Sequence, residues 1–143
     1  MNDELVQLAK QTATKYGLDP ALVCAVCEQE SSWNTWAARC EPRFKARYID
    51  PLNLPDTEAW LRSISFGLMQ LMGEGARELG YKGPLVQLCD PAIGLVLGCQ
   101  WLAKKLASAG GDVAKALLLW NGGANLDYPN QVLARKAKYQ DAL

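Results

Sequence analysis

The sequence predicts a single all-α domain, and three observations support that fold class. Apolar residues recur at helical spacing along most of the chain, and Asp-Pro pairs and glycines stand where these runs begin and end. No run alternates apolar and polar residues as a half-buried strand would. With 143 residues, half of them hydrophobic, the chain is long enough to bury one core. We therefore interpret residues 1–143 as one domain.

The N-terminal part of the chain is predicted to form two helices followed by an irregular excursion. Residues 3–16 have apolar positions at helical spacing and form the first helix. Asp19 and Pro20 are typical of the N-cap and first turn of a second helix, which runs to about Glu30. Three prolines and few periodic apolar residues predict an irregular excursion over the core at about residues 31–55.

Five further helices are predicted in the rest of the chain. They run from Asp56 to Arg62, from Gly73 to about Gly80, from Pro91 after the N-cap Asp90, from the N-cap Asp112 to Trp120, and from about Pro129 to Gln140. The helix after Pro91 is apolar almost all round in its first turns, which predicts the buried centre of the domain. Gly94 and Gly98 lie on one face of this helix and would let another backbone approach closely.

Composition and charge exclude several classes of protein. Fifteen basic and fifteen acidic residues cancel, whereas nucleic-acid binding proteins usually carry a positive excess, so we expect no nucleic-acid partner. No apolar run is long enough to span a bilayer, and we expect no stable membrane insertion. The first residues lack the basic and apolar regions of a signal peptide. The sequence is therefore interpreted as a monomer made in the cytoplasm.

The absence of histidine restricts the chemistry that the chain can perform. Ser-His-Asp and Cys-His nucleophile systems and histidine-containing zinc sites are excluded. Five cysteines without a secretion signal do not suggest a complete disulfide framework. Cys24 and Cys27 have the spacing of a redox or zinc motif, but in the middle of a helix we interpret them as small buried apolar residues. We expect no metal and no cofactor, so acid–base chemistry would rest on carboxylates, lysine, tyrosine or a thiol.

Helical geometry selects one carboxylate as the candidate acid. Asp19, Asp56, Asp90 and Asp112 are predicted N-caps, whereas Glu74 and Glu78 are predicted to lie on an exposed helix. Residues four apart share a helix face, so Glu30 continues an apolar stripe formed by Leu22 and Val26, and Glu28 points roughly the opposite way. Burial and the negative end of the helix dipole would raise the pKa of Glu30. Glu30 is thus a candidate general acid, with a buried glutamate satisfied by a partner as the alternative.

Aromatic residues near the candidate acid indicate a carbohydrate substrate. Trp33 and Trp36 follow Glu30 closely, and Trp120 stands at a helix end beside Asn121. Flat aromatic faces suit the apolar C–H surfaces of sugar rings, although any single tryptophan is more often part of a core. Around one candidate acid, this combination favours cleavage of a carbohydrate.

Four motifs resemble those of lytic transglycosylases of the soluble-lytic-transglycosylase (SLT) type, a lysozyme-like all-α family. They are Glu30-Ser31-Ser32-Trp33-Asn34, Gly67-Leu68-Met69-Gln70-Leu71-Met72, Asp90-Pro91 followed by Ile93, Gly98 and Leu102, and Trp120-Asn121-Gly122-Gly123 followed by Tyr128 and Val132. The resemblance covers about residues 19–139 and the motifs occur in the family's order. Trp120 replaces the family's usual Tyr, and Thr35 and Gly73 stand where the family often has Pro.

The resemblance implies cleavage of the β-1,4 bond between N-acetylmuramic acid and N-acetylglucosamine in peptidoglycan. Glu30 would act first as acid and then as base, which yields a 1,6-anhydro product. The residues that would bind substrate or place Glu30 are Ser31, Glu41, Gly67, Met69, Gln70, Asn121 and Tyr128, with Trp120 as a wall of the cleft. The expected partner is therefore the glycan strand of peptidoglycan. The protein would act on the cell wall, released by a phage during lysis or carried in a virion. A host-encoded enzyme cut from a longer precursor is the alternative.

Two alternative functions remain open from the sequence. A hydrolytic muramidase of the inverting type would need a second carboxylate roughly 6.5–9.5 Å from the acid; Glu41 is the first candidate, before Asp50 and Glu58, unless it pairs with Arg39 or Arg43. The other alternative is a non-catalytic wall-binding or virion structural module with the same fold. A basic cluster (Arg39, Arg43, Lys45 and Arg47) is interpreted as a solvated face, with anionic stem peptides or lipid headgroups as alternative ligands.

Overall fold

Eight α-helices make up most of the computed structural model, which describes residues 2–140. They are α1 (Asp3–Lys15), α2 (Pro20–Ser31), α3 (Pro42–Phe44), α4 (Asp56–Arg62), α5 (Gly73–Glu78), α6 (Pro91–Ser108), α7 (Val113–Asn121) and α8 (Tyr128–Lys136). A π-helix at Lys45–Ile49 and 3-10 turns at Asp50–Leu52, Leu85–Cys89 and Ala137–Tyr139 complete the helical segments of this range. The predicted all-α, lysozyme-like fold class is confirmed.

Side-chain caps begin three of the helices as the sequence predicts. The carboxylates of Asp19, Asp90 and Asp112 each accept a hydrogen bond from a backbone N–H in the first turn of α2, α6 and α7, at 2.9–3.1 Å. The prediction for Asp56 is wrong, because Pro55 precedes α4 as its cap residue and Asp56 is already helical. The last helix is also shorter than predicted, since α8 ends at Lys136 and a 3-10 turn follows.

A small antiparallel sheet lies within the excursion and just beyond it, where no strand was predicted. Strands β1 (Ala38–Cys40), β2 (Ile64–Phe66) and β3 (Leu71–Met72) pair in the order β1-β2-β3. Each strand has only two or three residues, which is too short to show the alternation that identifies a strand in a sequence. The excursion is correspondingly less irregular than predicted, because Pro42–Leu52 is one helical stretch.

The most buried helix is α2 rather than α6, which corrects the prediction for the centre of the domain. All residues from Ala21 to Cys27 are buried, because α2 packs against α1 on one side and α8 on another. Both cysteines of this helix are fully buried, as expected for small apolar residues. Helix α6 buries Leu95, Cys99 and Leu102. No helix within residues 2–140 is long and apolar enough to cross a membrane.

Two glycines of α6 permit close packing, although in different ways. A Cβ added at Gly94 would lie 2.4 Å from the carbonyl oxygen of Leu88, so a backbone approaches there as predicted. At Gly98 the added Cβ would lie 2.5 Å from the Met69 sulfur, so the close neighbour is a side chain. Met69 is therefore held against the middle of α6.

Candidate active site

A cleft of about 470 Å³ opens at the C-terminal end of α2. Its walls come from the three-stranded sheet, α5, α6 and the C-terminal end of α7. The lining residues are Glu30, Arg39, Glu41, Phe44, Ser65, Gln70, Met72, Glu74, Gly75, Glu78, Trp101, Lys105, Leu119, Trp120, Asn121 and Gly122. A neighbouring cavity of about 490 Å³ shares Glu74 and Glu78 with this cleft but does not include Glu30. Only the first of these two cavities therefore brings the candidate acid together with aromatic side chains.

Glu30 has two neutral hydrogen-bond donors at the bottom of the cleft. The buried Tyr128 hydroxyl donates a hydrogen bond to Oε2 of Glu30, and the Trp120 side chain forms another bond to the same carboxyl group. Burial raises the pKa of Glu30, whereas these two bonds and the charge of Arg39 lower it. Burial has the larger effect, so Glu30 keeps its proton to a higher pH than an ordinary glutamate.

Tyr128 keeps its hydroxyl proton in this site and acts as a hydrogen-bond donor to Glu30. Burial and the negative charge of Glu30 raise its pKa well above the usual tyrosine value. An indole N–H is likewise a donor without an acceptor function. The two neighbours therefore fix the orientation of the Glu30 carboxyl group without removing its proton, which leaves that proton for a ligand in the cleft.

Glu28 lies outside the cleft, as the helical geometry predicts. Arg135 Nη1 and the Tyr139 hydroxyl donate hydrogen bonds to its carboxylate, and Lys138 Nζ lies 2.8 Å from Oε2. Burial raises the pKa of Glu28, but the bonds from Lys138, Tyr139 and Arg135 outweigh burial and lower it to about 2. This glutamate ties the end of α2 to the C-terminal segment and is ionised at neutral pH.

Only part of the Gly67–Met72 segment faces the cleft. Gly67 is buried with a φ of +74°, and a Cβ there would lie 2.5 Å from the Leu88 carbonyl oxygen. Met69 is buried against α6 and does not line the cleft. Gln70 does line it, and its Nε2 donates to the carbonyl oxygens of Ala37 and Gly67, both at 3.0 Å. Gly67 and Met69 thus shape the turn that presents Gln70.

Ser31 also lies behind the cleft rather than in it. Its hydroxyl is 2.9 Å from the Cys27 carbonyl oxygen and 2.8 Å from the Leu68 carbonyl oxygen. It connects the last turn of α2 to the segment that carries Gln70. Ser31, Gly67 and Met69 do not line the cleft and support its wall from behind. Their roles in binding substrate or placing Glu30 stay predictions.

Two tryptophans line the cleft, whereas Trp33 and Trp36 do not. Trp120 and Asn121 line the cleft at the C-terminal end of α7. Trp33 donates from Nε1 to the Tyr139 hydroxyl at 2.9 Å, and the Trp36 side chain is 80% exposed; neither lines the cleft. Trp101 was assigned to the buried helix by the sequence, yet it lines the cleft with Lys105 Nζ 4.4 Å from its ring centroid.

Three further carboxylates face the cleft. Glu41 pairs with Arg39, with 3.3 Å between Oε1 and Nε, which is the alternative that the sequence left open. Glu74 was predicted to be exposed, but its side chain is largely buried, with Arg62 Nη1 at 3.4 Å from Oε1. Burial raises the pKa of Glu74, and the neighbouring carboxyl group of Glu78 raises it further.

The other carboxylates considered for a second catalytic role lie elsewhere. Asp50 pairs with Lys45 at 2.8 Å, outside the cleft. Glu58 accepts hydrogen bonds from Arg62 and Arg77, and these bonds lower its pKa to about 2 despite the opposing effect of burial. Both groups are held by cations and do not face Glu30.

Comparison with known protein families finds a match over most of the chain. The family model of the transglycosylase SLT domain matches residues 7–141, which is nearly the whole chain. No solved structure matches the chain. The chain therefore belongs to the transglycosylase SLT domain family, whose activity is lytic transglycosylation of peptidoglycan.

Proposed function

We propose that this protein cleaves the β-1,4 bond between N-acetylmuramic acid and N-acetylglucosamine and leaves a 1,6-anhydro end, with Glu30 as the catalytic residue. The observation that carries the proposal is the position of Glu30: a buried carboxyl group with a raised pKa at the bottom of a cleft lined by aromatic side chains. A carboxylic acid whose pKa is raised above its ordinary value keeps its proton to a higher pH, which suits it to general acid catalysis.

The reaction needs only one carboxyl group. Glu30 donates its proton to the glycosidic oxygen, the bond from that oxygen to the muramic C1 breaks, and an oxocarbenium-like centre develops at C1. The muramic 6-hydroxyl oxygen then bonds to C1, and its proton passes to the Glu30 carboxylate. Glu30 ends in its starting protonation state, and no water is consumed.

Tyr128 and Trp120 would stabilise the intermediate state of Glu30. Both side chains donate hydrogen bonds to the carboxyl group, and such bonds strengthen when the acceptor becomes an anion. They act on the charge that develops on Glu30 during the first step. Trp120 thus supplies a donor to Glu30 where the family's usual tyrosine would present a hydroxyl.

The other polar and aromatic residues of the cleft would hold the sugars. Gln70 and Asn121 carry amide groups suited to the acetamido groups of the substrate, although Gln70 Nε2 is already engaged by two backbone carbonyl oxygens. The rings of Trp101 and Trp120 offer flat apolar faces on the same cleft. Binding would therefore combine aromatic contacts with a few amide hydrogen bonds.

A hydrolytic muramidase is the second candidate, because Glu41 and Glu74 line the same cleft as Glu30. Either carboxylate could activate a water molecule if its cationic partner released it. The pairing of Glu41 with Arg39 argues against this role, since an ion-paired carboxylate is a weaker base.

Product analysis in isotopically labelled water separates the two reactions. Purified walls are digested in water enriched in oxygen-18, and the muropeptides are identified by mass spectrometry. We expect unlabelled 1,6-anhydro ends from the wild type and from Glu41→Gln, and no new ends from Glu30→Gln. Labelled reducing ends from the wild type would show hydrolysis, and their loss in Glu41→Gln would identify the second carboxylate.

A non-catalytic wall-binding module makes a different prediction. In that case the wild type and Glu30→Gln would both bind walls, and neither would release muropeptides or clear a suspension of permeabilised cells. We expect clearing by the wild type alone.

We further propose that the protein acts in phage lysis, either released through a membrane pore or carried in a virion. If it is released from the cytoplasm, cells that produce it should lyse only when a pore-forming protein is produced with it. The Glu30→Gln variant should not lyse the same cells. Lysis without a pore would contradict release through a pore.

A further inference from the structure

The Pro42–Leu52 stretch presents a surface of paired aromatic rings and arginines beside the cleft. We name it the Arg43–Tyr48 surface, after its four residues Arg43, Phe44, Arg47 and Tyr48. The Phe44 and Tyr48 ring centroids lie 5.1 Å apart, and the Arg47 guanidinium lies 5.1 Å from the Tyr48 ring centroid. Positions 43 and 47, like 44 and 48, lie four apart on a helical stretch and so share a face.

The arginines of this surface differ from the other basic residues of the same cluster. Arg39 pairs with Glu41, and Lys45 pairs with Asp50. Within residues 2–140, Arg43 and Arg47 form no ion pair, and both are exposed. Two guanidinium groups are therefore available for an external anion.

One ring of the aromatic pair is exposed, whereas Phe44 is half-buried where it lines the cleft. The Tyr48 side chain is 51% exposed, and Leu52 and Trp60 nearby are exposed as well. Isolated apolar residues on a surface are ordinary, whereas two adjoining rings with the Arg47 guanidinium beside one of them form a patch suited to a ligand. The π-helix that carries Arg47 and Tyr48 is a rare element, and such elements occur frequently at functional sites.

The surface continues the candidate active site. Phe44 belongs both to this surface and to the lining of the cleft, together with Arg39 and Glu41. A polymer that leaves the cleft past Phe44 would therefore meet Tyr48 and the two arginines next.

We infer that the Arg43–Tyr48 surface binds the part of the peptidoglycan strand that extends beyond the cleft, with a sugar ring on the aromatic pair and carboxylates of the stem peptides on Arg43 and Arg47. This inference rests on the proposed function, because its ligand is the strand that Glu30 cleaves. Planar guanidinium groups match carboxylates, and aromatic faces match sugar rings. The surface favours this ligand over an anionic bilayer, because a bilayer seated here would obstruct the end of the cleft at Phe44.

Binding to walls by the Glu30→Gln protein tests the inference, since we expect this variant to hold substrate without cutting it. Two variants are added to it: Arg43→Gln with Arg47→Gln, and Tyr48→Ala. Each is measured by sedimentation with intact walls and with walls whose peptide stems have been removed enzymatically. Lys15→Gln with Lys115→Gln is the matched control, because these exposed lysines lie outside the cleft and the surface.

We expect the double arginine variant to bind intact walls about fivefold more weakly, the order expected for two exposed ion pairs. The double arginine variant and its Glu30→Gln parent should bind peptide-free walls equally tightly. The binding of the double variant to intact walls should depend less on salt than that of the parent. Tyr48→Ala should weaken binding to both substrates, and the lysine control should change neither. Thermal unfolding of each variant checks that the fold is retained.

Several results would overturn the inference. They are unchanged binding of the double arginine variant to intact walls, equal loss on both substrates, an equal loss in the lysine control, or no measurable binding of the Glu30→Gln protein to intact walls. Arginine-dependent binding to phosphatidylglycerol vesicles, without an effect on walls, would show a membrane surface instead. Because these measurements need no cleavage, they are separable from the proposed function, which fails if the wild type leaves no anhydro ends.

Discussion

Two glutamates near the C-terminal end of α2 have opposite ionisation behaviour, although only one residue separates them. Both are largely withdrawn from solvent, and each accepts a hydrogen bond from a tyrosine hydroxyl. Glu28 also contacts two cations, Arg135 and Lys138, and its pKa falls to about 2. Burial acts on both residues in the same direction, so burial alone does not distinguish them.

The difference lies in the charge of the donors. Glu30 is held by Tyr128 and Trp120, which are neutral, and Arg39 acts on it only as a charge in the same cleft. A neutral donor stabilises a carboxylate less than a cationic donor does, so burial prevails at Glu30 and its pKa rises. One helix thus carries one carboxyl group whose pKa is lowered and one whose pKa is raised, and the charge of their hydrogen-bonding partners makes the difference.

Replacing each glutamate with glutamine should give the largest contrast between them. Glu30→Gln removes the proton donor and should lower the rate of wall cleavage by about a thousandfold, within the usual range for a general acid. Glu28→Gln changes a residue outside the cleft and should leave the rate within about twofold. Initial rates of turbidity loss with purified walls measure both. Equal losses in the two variants would mean that Glu30 has no special role.

Removing the Tyr128 hydroxyl should make the chemistry at Glu30 less efficient and shift its pH dependence. We expect Tyr128→Phe to lower the maximal rate by about ten- to a hundredfold, because the carboxyl group loses a positioning contact. The hydroxyl bond lowers the pKa of Glu30, so its loss raises that pKa further. Activity of a general acid declines as pH rises through its pKa, and the alkaline limb should therefore move to higher pH.

Tyr139→Phe is the matched control for this change, because Tyr139 donates its hydroxyl to Glu28. Tyr139→Phe should change the free energy of unfolding, but it should not shift the alkaline limb of the pH–rate profile. A shift of that limb in Tyr139→Phe, or none in Tyr128→Phe, would contradict the assignment of the limb to Glu30.

The Glu28 network should stabilise the fold in a pH-dependent way. The pKa of Glu28 is about 2 in the folded state and near 4.5 for an ordinary glutamate, so its contribution is complete above about pH 5 and is lost as pH falls towards 2. After allowance for the half-exposed cations, we expect about 1–2 kcal/mol. Urea unfolding between pH 2 and 6 should show this decrease in the wild type, and Glu28→Gln should lack that part of it. If the free energies of unfolding of the two proteins fell in parallel with decreasing pH, the Glu28 network would not be the source of this decrease.

Removing one of the two cations that contact Glu28 should raise the pKa of Glu28 slightly. This is the smallest of the expected effects. Lys138 is half-exposed and forms one of the bonds that lower the pKa of Glu28. Lys138→Gln should therefore raise that pKa while Arg135 still keeps it below the ordinary value. A carbon-13 NMR titration of the side-chain carboxyl groups measures the change. A pKa of Glu28 that stays at about 2 would show that Arg135 and Tyr139 suffice.

The sequence was informative where the determining contacts are local. The N-caps Asp19, Asp90 and Asp112 act on their own helices, and helical geometry distinguished Glu30 from Glu28. Local spacing also predicted the helical order and the buried cysteines of α2. These features depend on residues within about one turn, and their signals are therefore present in short stretches of sequence.

Long-range contacts account for what the sequence did not reveal. Glu28 accepts a hydrogen bond from Arg135, which lies 107 positions away in the sequence, and no local pattern predicts that contact. Glu74 looked exposed because its helix has charged neighbours, but α5 turns this residue towards the cleft. Ser31 and Met69 lie within recognisable motifs, yet tertiary packing directs them away from the cleft. A motif locates a wall of the site without saying which side chains face the ligand.

The central claim is that Glu30 holds a proton at a pH where Glu28 has lost its own. A carbon-13 NMR titration of the side-chain carboxyl groups tests this directly, with Glu28→Gln and Glu30→Gln used to assign the two resonances. We predict a midpoint above 4.5 for Glu30, coincident with the alkaline limb of the cleavage rate, and a midpoint of about 2 for Glu28. A midpoint for Glu30 at or below 4.5, or the reverse order of the two groups, would contradict the account.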